Sequence, residues 1–229
     1  MHGIRFDNLK KSFGRVVALD GLSAEAGPGE ALALFGPSGC GKTTALRLIA
    51  GLERPDSGSI HLNGREVSRP GRMLPPGQRG IGMVFQDLAL WPHMRAQAQI
   101  GFVLKSLKGT RAERRARSRA LLEQFGLEDC ASMRPHEMSG GEKQRLAIAR
   151  ALAADPGLIL LDEPFANLDE ARIDDIIECL KARKAQGVTI VFASHQRRDI
   201  LALADKVVTM RQEGYTCESV DAFREGETK

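Results

Sequence analysis

A phosphate-loop motif is the feature of this chain that most constrains its fold. The pattern GxxxxGK(S/T) is matched at every fixed position by Gly36, Pro37, Ser38, Gly39, Cys40, Gly41, Lys42 and Thr43. A compact apolar run over 31–35 predicts a strand before the motif, and helical spacing over 42–50, stopped by Gly51, predicts a helix after it. A strand and helix joined by such a loop are typical of a parallel sheet. The motif therefore predicts an α/β fold.

The residue types in this loop are those that bind a phosphate group. Its glycines allow successive backbone N–H groups to point at phosphate oxygens, and the N-terminus of the following helix favours an anion. Lys42 can reach the β- and γ-phosphates of a nucleotide, and the hydroxyl of Thr43 can ligate Mg²⁺. A glycine-rich turn without a ligand is the alternative, and the correct placement of both Lys42 and Thr43 argues against it.

The rest of the chain alternates strand and helix patterns around a block of helices. Strands are predicted at 4–9, 16–19, 59–62, 81–85, 158–162, 188–193 and 206–210, with a surface loop at 65–80. Helices are predicted at 94–107, 111–125, 140–154, 169–186 and 196–203. Such alternation implies a mostly parallel sheet covered on both faces. The helices over 94–154 interrupt this α/β core.

Composition indicates the cellular context. The chain has 229 residues and a net charge of +4, and it has no apolar run of about 18 residues that would predict a transmembrane helix. Residues 1–14 lack the apolar segment of a signal peptide, so a cytosolic protein is expected. Cys40, Cys130, Cys179 and Cys217 show no CxxC pairing and are interpreted as reduced, non-ligating thiols.

Basic residues are concentrated in one predicted helical region. Seven of them fall between positions 105 and 119, against a single acid, Glu113. The simplest interpretation is a solvated helix face, and contact with anionic lipid is the weaker alternative. The basic excess of the whole chain permits contact with phosphates or anionic lipid and requires neither.

Two acids follow the apolar strand predicted at 158–162. Asp162 and Glu163 would lie at its carboxyl end, where open α/β sheets bind their ligands. Asp162 can hold Mg²⁺ through its water shell, and Glu163 can polarise the water that attacks a γ-phosphate or accept its proton. The alternative is a solvated turn leading into Pro164, which the phosphate loop upstream makes less favourable.

A second glycine-containing segment opens another predicted helix. Its residues are Met138, Ser139, Gly140, Gly141 and Glu142. Ser139 is a natural N-cap, and the amides that follow it are unpaired donors. Taken alone, this is a capped helix with two glycines. Its position 23 residues before Asp162 gives it a further meaning.

At this point the chain resembles the ATP-binding-cassette (ABC) ATPases. MSGGE is similar to the family signature LSGGQ, with Met138 for Leu and Glu142 for Gln. The resemblance assigns further residues: Gln86 as the Mg²⁺- and water-contacting glutamine, Asn167-Leu168-Asp169 as a loop crossing a dimer interface, His195 after Ser194 as the switch histidine at the γ-phosphate, and Phe13 as an aromatic residue stacked on adenine.

Each of these assignments has a simpler alternative. Gln86 could be a loop amide, Phe13 a partly buried hydrophobe, and His195 a strand-end histidine with a structural hydrogen bond. The order and spacing of the motifs together carry the resemblance. It implies a P-loop NTPase (RecA-like) core with N-terminal antiparallel β strands and an inserted α-helical subdomain. A single domain over 1–229 is expected, with a core of approximately 1–87 and 155–229 and a helical subdomain of approximately 88–154.

The resemblance also implies a reaction and its cofactors, ATP and Mg²⁺. The expected catalytic residues are Glu163, His195, Gln86 and Lys42. The expected metal site comprises Thr43, Gln86 and Asp162. ATP would contact Phe13, the phosphate loop from Gly36 to Thr43, Thr44, Ser139, Gly140, Gly141, Glu142 and Asp169. A second copy of the chain would supply the signature residues to each ATP, so a homodimer is expected.

The expected partners are integral membrane permease subunits, possibly with a substrate-binding protein, at the cytoplasmic side of the cell membrane. The segment 75–94 resembles importer ATPases for polyamines, ferric iron, sulfate, thiamine and sugars, in which the region after Gln86 receives a permease helix. Trp91 and Met94 are candidates for that groove, or for ordinary packing. No room is expected after Lys229 for the C-terminal regulatory domain of many such importers.

Other functions stay open as alternatives. An exporter or lipoprotein-release ATPase would use the same chemistry with another membrane partner. A soluble cassette protein of DNA repair or translation usually has two cassettes or a long coiled-coil insertion, so no nucleic acid is expected here. A simple P-loop nucleotide kinase would not explain the MSGGE segment or the Ser194-His195 pair.

Overall fold

A computed structural model describes residues 3–166, 168–211 and 214–226. The strands in these ranges are β1 (Ile4–Phe13), β2 (Val16–Ala26), β3 (Ala31–Phe35), β4 (Ser57–Leu62), β5 (Arg65–Arg69), β6 (Arg72–Met73), β7 (Ile81–Val84), β8 (Leu158–Asp162), β9 (Thr189–Ser194), β10 (Lys206–Arg211) and β11 (Gly214–Ser219). The helices are α1 (Lys42–Ala50), α2 (Ala96–Leu104), α3 (Arg111–Gln124), α4 (Gly140–Leu152), α5 (Glu170–Ala185), α6 (Arg197–Leu203) and α7 (Val220–Glu225).

The strands form two sheets. The first is antiparallel and has the order β2-β1-β4-β5-β6. The second has the order β11-β10-β3-β9-β8-β7, with parallel pairing from β10 to β7 and an antiparallel β11 at its edge. The carboxyl ends of β3, β7, β8 and β9 therefore meet at one edge of the second sheet, where the phosphate loop begins.

Alternating apolar residues bury both faces of the second sheet. Ala31 and Ala33 of β3 belong to a core shared with the helices α2 to α7, whereas Leu32 and Leu34 face a second core with α1 and the antiparallel sheet. Strands β8 and β9 divide their side chains between the two cores in the same way. Because successive strand residues point to opposite faces, these continuous apolar runs require cover on both sides. The predicted two-sided cover is confirmed.

Several predicted elements coincide with the observed ones. The strand over 31–35, the helix over 42–50 and the strand over 158–162 have the predicted bounds. Gly51 ends α1 in the left-handed conformation, with φ of 78°, and its N–H contacts the last carbonyls of the helix. Strong apolar periodicity and a terminal glycine give local signals that tertiary packing does not override here.

The predicted surface loop over 65–80 is wrong. Strands β5 and β6 extend the antiparallel sheet there, and Arg79 is buried. Its guanidinium donates to the carbonyls of Ile49 and Leu74, and burial lowers the pKa of Arg79 to about 10. The many arginine, proline and glycine residues over 65–80 are typical of a loop, so the two strands were missed. The burial of Arg79 was missed because it depends on backbone carbonyls that sequence patterns do not reveal.

The chain beyond β10 contains two elements that the sequence did not predict. β11 pairs antiparallel with β10, and α7 packs Phe223 edge-on against Phe35, with ring centroids 5.2 Å apart. The hydroxyl of Tyr215 accepts a hydrogen bond from the N–H of Asp20, which ties β11 to β2. Within the described ranges, no helix is long and apolar enough to cross a membrane.

Candidate functional site

The phosphate loop runs from the end of β3 to the start of α1, pressed against neighbouring backbone. A Cβ at Gly36 would lie 2.4 Å from the Met210 carbonyl oxygen, and one at Gly41 would lie 2.4 Å from the Ala18 carbonyl oxygen. Gly41 also has φ of 100°, a conformation that favours glycine. Glycine is therefore required at both positions for the loop to keep this shape between β2 and β10.

Lys42 places its ammonium group inside this loop. Its side chain is 7% exposed, and Nζ donates to the carbonyl oxygens of Gly36 at 2.7 Å and Pro37 at 3.0 Å. The same nitrogen lies 4.0 Å from Oε1 of Glu163, which follows β8. The loop thus holds one buried cation beside a carboxylate, at the N-terminus of α1 where backbone N–H groups are unpaired.

Asp162 ends β8 and is 2% exposed. The hydroxyl of Thr43 hydrogen-bonds to it, and within the described residues its Oδ1 has no hydrogen-bond partner. Burial raises the pKa of Asp162, and the contact with Thr43 lowers it. This carboxylate oxygen is buried and receives no hydrogen bond from the described residues, and a hydroxyl oxygen lies next to it. Hard oxygen ligands of this kind fit Mg²⁺. Asp162 and Thr43 could hold this ion together with the nearby amide of Gln86.

Glu163 and His195 lie in direct contact. His195 follows β9, and its Nδ1 lies 3.0 Å from Oε2 of Glu163. Glu163 has a positive φ of 50°, and its N–H donates to the carbonyl of Ala193 in β9. This unusual backbone conformation turns the carboxylate toward both His195 and Lys42. Three ionisable side chains from distant parts of the sequence therefore converge beside the phosphate loop.

A cleft of about 220 Å³ brings most of the predicted site together. Its predicted members are Ser38, Gly39, Gly41, Lys42, Thr43, Thr44, Gln86, Asp162 and Glu163. Val16 and Val17, which are exposed apolar residues, also line it. Phe13 is 46% exposed and pairs with Val16 across the β1–β2 hairpin, so an apolar surface borders the cleft. Such a surface suits a flat base better than a phosphate.

The signature segment does not line this cleft. Ser139 caps α4, its Oγ accepting from the Glu142 N–H at 3.3 Å while Glu142 Oε2 accepts from the Ser139 N–H at 2.7 Å. These contacts form a capping box and lower the pKa of Glu142. Asp169 caps α5 by accepting from the Arg172 N–H. Asn167, predicted to lie at a dimer interface, is outside the described residues.

Three buried polar residues near the site were not predicted. Arg150 of α4 donates to the carbonyls of Leu88 and Ala89, just after Gln86. Gln144 of the same helix donates to the Pro164 carbonyl at 2.7 Å. Asp199 of α6 accepts from Ser194. A single arginine inside the apolar run 146–153 was the one sequence signal available for this group.

The cleft, the phosphate loop and the two-sided sheet define a P-loop nucleotide-binding protein. Residues 19–166 match the ABC transporter family, and the chain belongs to that family. The predicted resemblance and fold class are confirmed.

Relatives and solved structures agree with this assignment. The trehalose/maltose import ATP-binding protein MalK of Thermococcus litoralis is 40% identical over 215 residues, covering 93% of this chain. The Fe(3+) ions import ATP-binding protein FbpC of Agrobacterium fabrum is 41% identical over 210 residues, covering 90% of this chain. This chain spans 58% of the length of both proteins.

The fold also matches solved cassettes. A dimeric post-hydrolysis state of the ATP-binding cassette MJ0796 bound to ADP and Pi has a TM-score of 0.85 and 28% sequence identity, covering 95% of this chain and 98% of that one. A second dimeric structure of the same bacterial ABC transporter cassette has a TM-score of 0.86, with the same identity and coverage.

Proposed function

We propose that this chain hydrolyses ATP to ADP and phosphate as the ATPase subunit of an ABC transporter. The observation that carries the proposal is the convergence of Lys42, Glu163 and His195 beside the phosphate loop. Phosphoryl transfer depends on positioning and charge stabilisation, and this site offers a cation, a carboxylate and an imidazole around one phosphate-binding loop.

Each residue has a proposed task. Backbone N–H groups of the loop and the Lys42 ammonium hold the phosphates. Glu163 orients a water molecule and accepts its proton as the water oxygen attacks the γ-phosphorus and the bond to the β-phosphate oxygen breaks. His195 contacts the γ-phosphate from the end of β9. Mg²⁺, held by Thr43, Asp162 and Gln86, would neutralise charge on the β- and γ-phosphates.

A second copy of the chain would complete the site. Ser139 and Gly140 are exposed, lie outside the cleft of their own chain and begin a helix whose amides can bind an anion. The dimeric form of the matched cassettes supports this arrangement. Ser139, Gly140 and Gly141 of one copy would then face the phosphate loop of the other, with Glu142 holding the helix start and Asp169 near the interface.

The membrane partners are proposed from the relatives, whose names describe import of sugar and of ferric ions. We place a permease contact after Gln86, where Met94 lines a cleft with Gly101 and Phe102. Trp91 packs beside this cleft, 5.0 Å from the Phe102 ring and 4.9 Å from the Arg150 guanidinium. The chain would sit at the cytoplasmic side of the membrane, in an import system that includes a substrate-binding protein.

Division of the domain is part of the same proposal. A core of approximately 1–87 and 155–229 would bind the nucleotide, and a helical subdomain of approximately 88–154 would present the signature and the permease contact. The insertion of α2, α3 and α4 between β7 and β8 supports it. Gln144 links the two parts, because it donates from α4 to the Pro164 carbonyl that follows β8.

The substitution Glu163→Gln tests the function. We expect ATP binding to persist and turnover to fall by about 100-fold or more, because the amide cannot accept the proton. The variant should also form an ATP-dependent dimer on size-exclusion chromatography. Glu178→Gln, at an exposed position of α5, is the matched control. Hydrolysis that persists in Glu163→Gln while the protein stays monomeric with ATP would contradict the proposal.

A further inference from the structure

Asp199 is a buried acid that none of the steps above uses. It lies in the first turn of α6 and is 2% exposed. Its Oδ2 accepts from the Ser194 hydroxyl at 2.7 Å, and its Oδ1 has no hydrogen-bond partner among the described residues. Burying a carboxyl group with one oxygen unpaired costs stability. The position is therefore difficult to explain as a contribution to folding alone.

Ser194 connects this acid to the backbone around His195. It is fully buried at the end of β9, and its Oγ accepts from the Gln196 N–H at 3.0 Å. A serine hydroxyl has a single hydrogen and two lone pairs. Because the Ser194 hydroxyl hydrogen points at Asp199 in a hydrogen bond, a lone pair of the Ser194 oxygen is directed at the Gln196 N–H. The residues before and after His195 are thus joined through one hydroxyl.

The result of this bond pattern is a fixed approach of His195 to Glu163. The imidazole Nδ1 lies 3.0 Å from the Glu163 carboxylate, and the backbone N–H of Glu163 donates to the carbonyl of Ala193 in β9. His195 itself is more than half exposed, so surrounding side chains hold its ring only weakly. Its position depends instead on the backbone at 194–196.

We propose that Asp199 is a positioning residue for ATP hydrolysis, which acts by orienting the Ser194 hydroxyl and thereby holds His195 against Glu163. The inference rests on the proposed function, because it assigns a task within that reaction. It predicts that kcat depends on the acceptor oxygen of Asp199 and does not depend on the negative charge of its carboxylate. Asn and Ala at position 199 separate the two properties, since Asn keeps a carbonyl oxygen for Ser194.

The kinetic test compares Asp199→Ala, Asp199→Asn and Ser194→Ala with the parent. We expect the Ala variants to lower kcat by about 10- to 100-fold with little change in the KM for ATP, because catalytic groups displaced by an ångström lose this much rate. Asp199→Asn should retain most of kcat. Asp205→Ala controls for lost stability. It removes an acceptor for the Ala31 N–H and Lys184 at the amino ends of the parallel strands, away from the site.

Three outcomes would overturn the inference. They are an equal loss of kcat in Asp199→Asn and Asp199→Ala, an equal loss in Asp205→Ala, and an unchanged kcat in folded Ser194→Ala. If Asp199→Ala does not fold, Ser194→Ala removes the same connection and leaves the acid in place. In a His195→Ala background, followed by single-turnover hydrolysis, Ser194→Ala should cause no further loss.

A measurement without turnover separates this inference from the proposed function. The imidazole proton–carbon NMR signal of His195 can be assigned by its absence in His195→Ala. We expect the signal to shift and broaden in Ser194→Ala and to stay near its parent position in Asp199→Asn. An unchanged signal in Ser194→Ala would overturn the inference. Absence of ATPase activity in the parent protein would instead refute the proposed function.

Discussion

Glu142 shows how one side chain of the signature segment serves its own helix. The residue stands where the family pattern has glutamine, and its carboxylate accepts from the Ser139 N–H at 2.7 Å. This bond is the largest cause of the lowered pKa of Glu142, followed by the hydrogen bond with the Ser139 hydroxyl. Either Glu or Gln can close a capping box. The departure from the family pattern therefore keeps the cap and adds a titratable group.

The stability contributed by Glu142 should depend on pH. A carboxyl group whose pKa is lowered by folding stabilises the folded state above its ordinary pKa of 4.5, and this contribution disappears as the pH falls through the lowered value. As the pH falls below about 5, the parent should lose more stability than Glu142→Gln, which keeps the cap and does not titrate. Urea unfolding followed by circular dichroism measures the difference.

Glu178→Gln provides the comparison for this experiment, because Glu178 is exposed and pairs with Lys181 one turn along α5. Its unfolding curves should follow the parent across the same pH range. Superimposable pH profiles for the parent and Glu142→Gln would show that the carboxylate at the start of α4 does not stabilise the fold.

Among the elements, α4 joins parts of the site that are distant in sequence. Its first turn carries the signature segment, Gln144 reaches the turn after β8, and Arg150 reaches the backbone after β7. Leu88 and Ala89, whose carbonyls accept from Arg150, both have positive φ values. Such backbone conformations persist when surrounding contacts fix them. The helix thus connects the signature to the segment that carries Gln86.

Removal of this connection should be measurable in stability and fluorescence. Arg150→Met leaves two carbonyls without their donor, so we expect a loss of about 2 kcal/mol in the free energy of unfolding. The guanidinium also lies 4.9 Å from the ring of Trp91, the single tryptophan of the chain, so its emission should change. Arg172→Met, at an exposed ion pair, should cost less than about 1 kcal/mol. Equal losses in both variants would contradict the role of Arg150.

On the scale of the whole molecule, the two halves of the proposed site are separate in a single chain. The cleft gathers the phosphate loop, Gln86 and the acids at the end of β8, whereas Ser139 and Gly140 lie outside it. A single chain therefore presents a phosphate loop without a signature and a signature without a phosphate loop. A head-to-tail pair of copies would satisfy both, because a symmetric interface places each half-site opposite its counterpart.

Mixing two inactive variants tests this arrangement. Lys42→Ala removes the loop cation, and Ser139→Asp keeps a good N-cap while placing a negative charge toward the phosphates of the partner's ATP. Each variant alone should be inactive. In an equimolar mixture, half of the dimers would carry one intact site, so we expect about a quarter of the parent ATPase activity. Dimers that form in the mixture without any recovery of hydrolysis would contradict the shared site.

The sequence alone determined the features with strong local signals. The phosphate loop, its flanking strand and helix, and the two acids at the end of β8 were predicted at the observed positions, because glycine, apolar periodicity and a strand-end acid pair act over a few residues. The strands β5 and β6, the edge strand β11 and the buried Arg79 were not predicted. Strands β5 and β11 pair with β4 and β10, their neighbours in sequence, but few of their side chains are buried, so their residues give no clear apolar alternation. Arg79 instead depends on the carbonyls of α1, 30 residues earlier in the chain.

Only the tertiary structure decided which ionisable side chains come into contact. Asp199 is an ordinary acid in the sequence, and it becomes part of the site because α6 packs its first turn under the end of β9. Glu163 and His195 come into contact because β8 and β9 are adjacent parallel strands whose carboxyl ends lie side by side. Local residue patterns specify the elements, whereas distances between elements follow from the packing of two cores against one sheet.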